Sequence, residues 1–416
     1  MSVAPTITHW NPEDPGFWRS QGEPVAARNL GLSIAALMLA FAVWMMWSMI
    51  VARLPAAGFH FSTNQLYWLA ALPALSGATL RFVYAFAVPV FGGRRWTALA
   101  TASLLLPTLG IGAALTDPST SFETMVLLSL LCGLGGANFA SSMAHISFFF
   151  PRSRVGTALG LNAGLGNLGV PLAQLVVPVV IAGGALHLAA YVWVPLIVAC
   201  SVAVWFGMND LAQARGSFAE QAVIFRRKHN WLMCWLYGGC FGSFIGLSAA
   251  MPLLLQLEFP QHGDVLFAMW LGPLVGALVR PLGGWLADRH GGARVTLWTF
   301  AAMSLGVVAL IAGLPGRFGP VVGGLALLFV AAGIGNGSTF RMIPMVFRAG
   351  KEAAAVLGFA SAVGAYGGFF IPKSYGTSIS MTGGPEAALY VFIVFYLLCI
   401  GITWWFYSRK NAPMPC

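Results

Sequence analysis

Residues 75–84 read LSGATLRFVY, and about two hundred positions later residues 274–283 read LVGALVRPLG. The echo continues, because GGRRWT (92–97) is answered by GGARVT (291–296). Gly77 falls on Gly276, Arg81 on Arg280, Gly92 on Gly291 and Arg95 on Arg294. A third pair sets GLNAGLGNLG (160–169) against GFASAVGAYG (358–367), with Gly160, Gly166 and Gly169 on Gly358, Gly364 and Gly367. The chain therefore reads as one unit written twice.

Composition says what kind of unit this is. The 416 residues are 58% hydrophobic and 8% charged, with a mean hydropathy of +0.79. Soluble domains carry about 25% charged residues, so these values indicate a membrane protein. Apolar stretches of spanning length occur about twelve times, near 31–53, 65–91, 97–115, 122–150, 154–182 and 187–207, then 231–256, 265–288, 294–313, 319–347, 353–376 and 387–408. The first thirty residues are polar and lack the apolar core of a cleavable signal. The net charge of +10 is a topology signal and does not point to nucleic acid. Arg94, Arg95, Arg152, Arg215, Arg289 and Arg348 are among the cations that share one side, whereas the opposite loops hold Arg53 and Arg317. The positive-inside rule then predicts both termini in the cytoplasm.

Two copies of six spans, related by an axis along the membrane normal, resemble the major facilitator architecture. The expected fold class is all-α, with about twelve transmembrane helices in two pseudo-symmetric halves. The expected divisions are a cytoplasmic segment at 1–30, halves at 31–208 and 231–408, a polar linker at 209–230 and a tail at 409–416. The segment WLADRHGGARVT (285–296) is similar to that superfamily's loop motif, while the amino-terminal copy, FGGRRWT, lacks the Asp.

The run GLNAGLGNLG fits G-x-G-x-x-G, yet a dinucleotide site needs a preceding strand and an acidic residue about 20 positions on. This run lies inside a span, and no acidic residue follows it until Asp210. Glycines at third and fourth positions instead let helices approach closely. Gly160, Gly164, Gly166, Gly169, Gly358, Gly364 and Gly367 are assigned that packing and rocking role. Asn162 and Asn167 call for another explanation.

Arg81 and Arg280 lie midway along the second and eighth spans. An ionised group in the bilayer marks function by default, because it costs several kcal/mol unless paired or wetted. The chain has twelve acidic residues, and the topology places none of them near mid-membrane. Asp117, Glu123, Glu258, Asp264 and Glu386 belong to the outer face and the other seven to the cytoplasmic side. The partner of the two arginines is therefore expected to be an external anion. Arginine presents a planar fork suited to oxyanions. Phe139, and Tyr237 with Phe241 four residues on, are the aromatics at hand, which favours a small, flat, poorly hydrated anion.

GANFASSMAHISFFFP (136–151), GTALGLNAGLGNLGV (156–170), GPLVGALVRPLGGWLADRHGG (272–292) and LGFASAVGAYGGFFIPK (357–373) resemble the signature segments of the NarK-type nitrate/nitrite porters. The amino-terminal ITHWNPEDPGFW is similar too, so the likeness runs over nearly the whole chain. The resemblance implies that Arg81 and Arg280 bind the substrate, that Phe139 and Phe241 sandwich it, and that Tyr237 supplies a hydroxyl. It implies that Asn167 and Ser361 also belong to the substrate site, Asn167 hydrogen-bonding the anion or the arginine that holds it and Ser361 at a polar position of the second signature. Two positions depart from the family. His145 stands where Asn is usual, and Arg341 stands where a neutral residue is expected; His145 is assigned packing or gating, with a proton role open, and Arg341 is expected to snorkel. Lys373 matches the family and is assigned helix-end carbonyls or anion guidance.

The implied activity is exchange of nitrate for nitrite by alternating access in a bacterial inner membrane, by a monomer. Two like charges in an empty site disfavour its crossing, and a bound monoanion relieves them. Nitrate/proton symport is the alternative, with His145 as its relay. A nitrate sensor is disfavoured by the short central loop and tail. The six cysteines form no C-x-x-C pair, so neither a metal site nor a disulfide framework is expected. No cofactor is expected, and nothing in the sequence suggests an enzyme.

Overall fold

The computed structural model describes residues 6–212, 226–262, 268–314, 316–347 and 351–416. Linker residues 213–225 with Arg215, and also Asp264 and Arg348, lie outside the described residues. Among those described, the chain is helical apart from one isolated bridge between Ile7 and Leu211. The helices are α1 (Pro15–Val51), α2 (Thr63–Phe91), α3 (Gly93–Ala114), α4 (Phe122–Ser147), α5 (Val155–Gly183) and α6 (Leu188–Gly207). They continue with α7 (Lys228–Glu258), α8 (Leu271–Leu278 and Arg280–His290), α9 (Gly292–Gly313), α10 (Phe318–Val346), α11 (Lys351–Ala365 and Gly367–Thr382) and α12 (Glu386–Ser408). Ten of the twelve are each long and apolar enough to cross a bilayer. The remaining two, α8 and α11, are built from shorter pieces.

The breaks fall where the sequence is least helical. In α5 the regular helix stops at Asn167 and Leu168, where Leu168 N–H reaches back three residues to Leu165 (3.1 Å). Tyr366 does the same in α11, bonding Val363 at 3.1 Å. These are short 3₁₀ wedges, a common form of local hinge. Both lie in the duplicated glycine-rich run. A third break, at Val279, comes immediately before Arg280. In α7 a π-turn over Gly238–Gly242 carries Phe241. The two loop motifs match at backbone level as well. Gly92 and Gly291 start α3 and α9 with φ of 84° and 89°, a conformation that disfavours any side chain.

The chain packs as two compact units. One comprises Met1–Trp47 with Ser76–Glu220, and the other Ser48–Leu75 with Gln221–Cys416. In the first, Ile7 N–H donates to the Asp210 carbonyl (2.8 Å), and Trp10, Trp18, Ala26 and Phe149 form a small core. In the second, the Ser48–Leu75 stretch lies on α11. Tyr67 stacks on Tyr375 with centroids 6.2 Å apart, and Lys373 Nζ donates to Asn64 Oδ1 (3.2 Å).

Candidate functional site

Each unit places its arginine by the same means. A Cβ on Gly77 would lie 3.1 Å from the Gly133 carbonyl and 3.3 Å from the Gly136 Cα, so α2 and α4 meet almost backbone to backbone. One turn on, Arg81 is 1% exposed and its Nε donates to the Gly136 carbonyl (2.9 Å). Its guanidinium carbon lies 4.9 Å from the Phe139 ring centroid and 5.7 Å from that of Trp44. Phe139 is itself stacked on Phe41. In the second unit, Gly276 of α8 meets the Phe329 carbonyl of α10 equally closely. One turn on, Arg280 is buried, and its Nη2 donates to Tyr237 Oη (3.2 Å). Its guanidinium carbon lies 4.8 Å from the Phe340 centroid. The Arg280 Nη1 is buried and has no hydrogen-bond partner among the described residues.

A planar cation against an aromatic face is held by the ring quadrupole, worth roughly 0.5–2 kcal/mol depending on desolvation. The face is then occupied, and at Arg280 the in-plane Nη1 remains for a ligand. Phe139 therefore lies on its arginine. Phe241 stacks on Tyr237 (5.2 Å, 13°), and the ring over Arg280 is Phe340. Sequence reasoning missed Phe340 and Trp44. Setting GANFAS beside GNGSTF would have exposed Phe340, since it stands near the repeat position of Phe139; Trp44 has no comparable signal.

The other candidates are placed as follows. Asn167 is 2% exposed, and its Oδ1 is buried without a partner among the described residues. Asn162 donates to Ser142 Oγ at 2.7 Å, and Ser142 in turn meets Ser33 Oγ at 2.8 Å, so it ties α5 to α4 and α1. Ser361 is buried and donates to the Gly358 carbonyl within its own helix (2.7 Å). A side chain on Gly166 would strike Leu37, on Gly169 the Met38 carbonyl, on Gly364 Tyr237 and on Gly367 Gly242. At Gly160, Gly164 and Gly358 a Cβ would meet nothing within 4 Å, so close packing does not account for them.

His145 is 1% exposed, with its imidazole filling the space beside Gly93 and its edge on Phe149 (4.9 Å). Its Nε2 has no hydrogen-bond partner among the described residues. Arg341 does not simply snorkel, because its Nε pairs with Asp288 of the loop motif. Lys373 donates to side-chain oxygens, Asn64 Oδ1 and Thr377 Oγ1 (2.9 Å), and sits 4.7 Å from the Trp68 ring. Helix-end carbonyls are not among these contacts.

One ion pair could not be foreseen from the motif. The amino-terminal copy lacks the Asp, and Asp210 from beyond α6 takes up a carboxylate role beside it. Its Oδ1 accepts the Arg94 backbone N–H (2.8 Å) and its Oδ2 the Arg94 Nε (3.2 Å). Arg94 Nη1 also donates to the Trp205 carbonyl (3.2 Å). Among the described residues no cluster of His, Cys, Asp or Glu is arranged to hold a metal ion.

Comparison with known proteins matches these features. Residues 32–372 match the Major Facilitator Superfamily. The chain is 45% identical to the nitrate/nitrite transporter NarU of Escherichia coli, covering 97% of this chain and 96% of that one, and equally to NarU of Salmonella typhimurium. It is 38% identical to the probable nitrate/nitrite antiporter NarK2 of Thermus thermophilus, over 99% and 98% of the two chains. The fold is similar to that of the nucleoside transporter NupG, with a TM-score of 0.69 at 14% identity over 90% of this chain and 98% of that one. The D-xylose-proton symporter gives 0.69 at 13% identity over 93% and 97%. The duplicated helices, the paired loop motifs and a buried arginine in each unit are thus those of a transporter and not of an enzyme, and the chain belongs to the NarK-type nitrate/nitrite porter family of the major facilitator superfamily.

Proposed function

We propose that the protein carries nitrate inward in exchange for nitrite, with Arg81 and Arg280 as the anion's ligands. The observation that carries this reading is Arg280. It is a guanidinium buried against a ring, with one nitrogen on a phenol and the other with no protein partner among the described residues. Its repeat mate Arg81 is buried in the same setting of ring and neutral oxygen. The phenol and ring around Arg280 are neutral, so its positive charge is one that an anion would relieve. Tyr237 orients Arg280, Phe139 covers Arg81, and the buried amide of Asn167 and the hydroxyl of Ser361 are further polar groups on the duplicated run. The 3₁₀ wedges at Asn167–Leu168 and Tyr366 give α5 and α11 places to bend during alternating access. The protein would sit in the bacterial inner membrane as a monomer, with both termini cytoplasmic.

Nitrate uptake into proteoliposomes tests the exchange. Vesicles loaded with nitrite are expected to take up nitrate whether or not an inward proton gradient is present, and empty vesicles to take up little. Gradient-driven uptake into empty vesicles would replace exchange with symport.

The buried Nε2 of His145 is the observation that favours nitrate/proton symport as a second reading. On the exchange reading His145→Asn retains nitrate uptake at near wild-type rate in nitrite-loaded vesicles. Loss of uptake together with loss of its pH dependence would favour the relay.

A further inference from the structure

Inside the first unit, α1, α3 and α4 enclose a small cavity lined by Ser33, Thr97, Thr101, Asn138, Ser141 and Ser142, with Ala36 and Leu37 completing the wall. It has about 10 Å³ of room for the centre of a water-sized sphere. A single water needs roughly 10–15 Å³ by that measure.

The polar atoms around it can be counted by donor and acceptor. Thr97 gives its hydroxyl proton to the Gly93 carbonyl (2.7 Å), Thr101 to the Thr97 carbonyl (2.7 Å) and Ser141 to the Asn138 carbonyl (3.2 Å). Each hydroxyl has one proton, so these three oxygens retain only lone pairs. Asn138 is 6% exposed, and its Oδ1 is buried without a hydrogen-bond partner among the described residues. That is a fourth acceptor. Ser33 and Ser142 share one hydrogen bond (2.8 Å), and Asn162 Nδ2 donates to Ser142 (2.7 Å). Whichever serine donates to the other, one hydroxyl proton of the pair is left over. The lining thus offers four acceptors and one spare hydroxyl proton, beside the N–H groups of the Asn138 amide.

We infer that this cavity is a binding site for one water molecule, held by the Asn138 side-chain carbonyl. The water gives one proton to Asn138 Oδ1 and the second to a threonine or serine oxygen, and it accepts the spare serine proton. Three bonds are the usual complement of a buried water. An unmet amide carbonyl inside a membrane helix bundle costs more than it would near solvent. An acceptor-rich lining also suits a small cation, but the charges of this unit argue against one. No carboxylate lines the cavity, and Arg81 and Arg94 lie in the same unit. Asp210, the carboxylate near α3, is already engaged by Arg94. The bound water joins three helices across a polar seam, and this role does not depend on which anion the protein carries.

Hydroxyl-radical footprinting of the detergent-solubilised full chain, in isotopically labelled water and read by mass spectrometry, tests this. Leu37 lines the cavity and is 1% exposed, while Leu104 is as fully buried and lies outside it. Oxidation of Leu37 is expected to run several times faster than that of Leu104, and to fall to the Leu104 rate in Asn138→Leu. Leu37 rates should not change when choline replaces Na+ in the buffer. Equal rates at the two leucines in the wild type would overturn the proposal, and that comparison stands even if Asn138→Leu fails to fold. Labelling that changes with Na+ would overturn it in favour of a cation.

Discussion

Arg280→Lys is expected to weaken nitrate binding by about 2 kcal/mol, roughly thirty-fold in Kd, with the protein folding as before. The guanidinium does three things at once. Its Nη2 donates to Tyr237, its plane rests on Phe340, and its Nη1 is left for a ligand. A lysine ammonium keeps the charge but is a point donor on a flexible stem, so it cannot make a directed phenol contact and a flat ring contact while presenting a second in-plane donor. Arg81→Lys should behave alike, since it loses the Gly136 carbonyl bond together with its stacking on Phe139. Isothermal titration with nitrate measures both variants. Wild-type affinity in either one would remove that arginine from the anion site.

The second large effect falls on stability. Asp210→Ala is expected to destabilise the protein by about 3–5 kcal/mol, the usual consequence of stripping one partner from a buried ion pair. The side chains of Arg94 and Asp210 are 5% and 9% exposed, so the abandoned guanidinium cannot simply turn to water. The same change takes the acceptor from the Arg94 backbone N–H in the first turn of α3. Asp210→Asn keeps a side-chain oxygen for that N–H and should lose less. Thermal unfolding in detergent is the measurement, with a lower melting temperature for Asp210→Ala than for Asp210→Asn. Nitrate affinity of the folded protein should stay near wild type in both, because the Asp210 carboxylate is engaged by Arg94, which is not a proposed anion ligand. An unchanged melting temperature would show that the pair contributes nothing net.

Much of this arrangement was legible in the residues. Span number follows from hydropathy, which sums along the chain without reference to neighbours. The duplication follows from matching letters, and it singled out Arg81 and Arg280 because a charge in bilayer-length apolar sequence is costly wherever the helix goes. Asn162 and Asn167, alike in the same run, could not be separated that way. Asn162 closes a bond to Ser142 across two helices, while Asn167 sits at a helix break with its carbonyl unmet. Arg341 read as a stray cation because its partner, Asp288, lies 53 residues away.

By itself, then, the sequence determined that this chain crosses a membrane about twelve times, is built from a repeated unit and carries an arginine at the same mid-span position of each repeat. These properties depend on composition and on local order. The tertiary structure decided which ring covers which guanidinium, that Asp210 rather than a motif residue meets Arg94 from 116 positions away, and where the glycine-rich helices break. Those outcomes turn on ångström-scale distances between helices that touch only after packing, and no pattern along one strand of sequence encodes such distances.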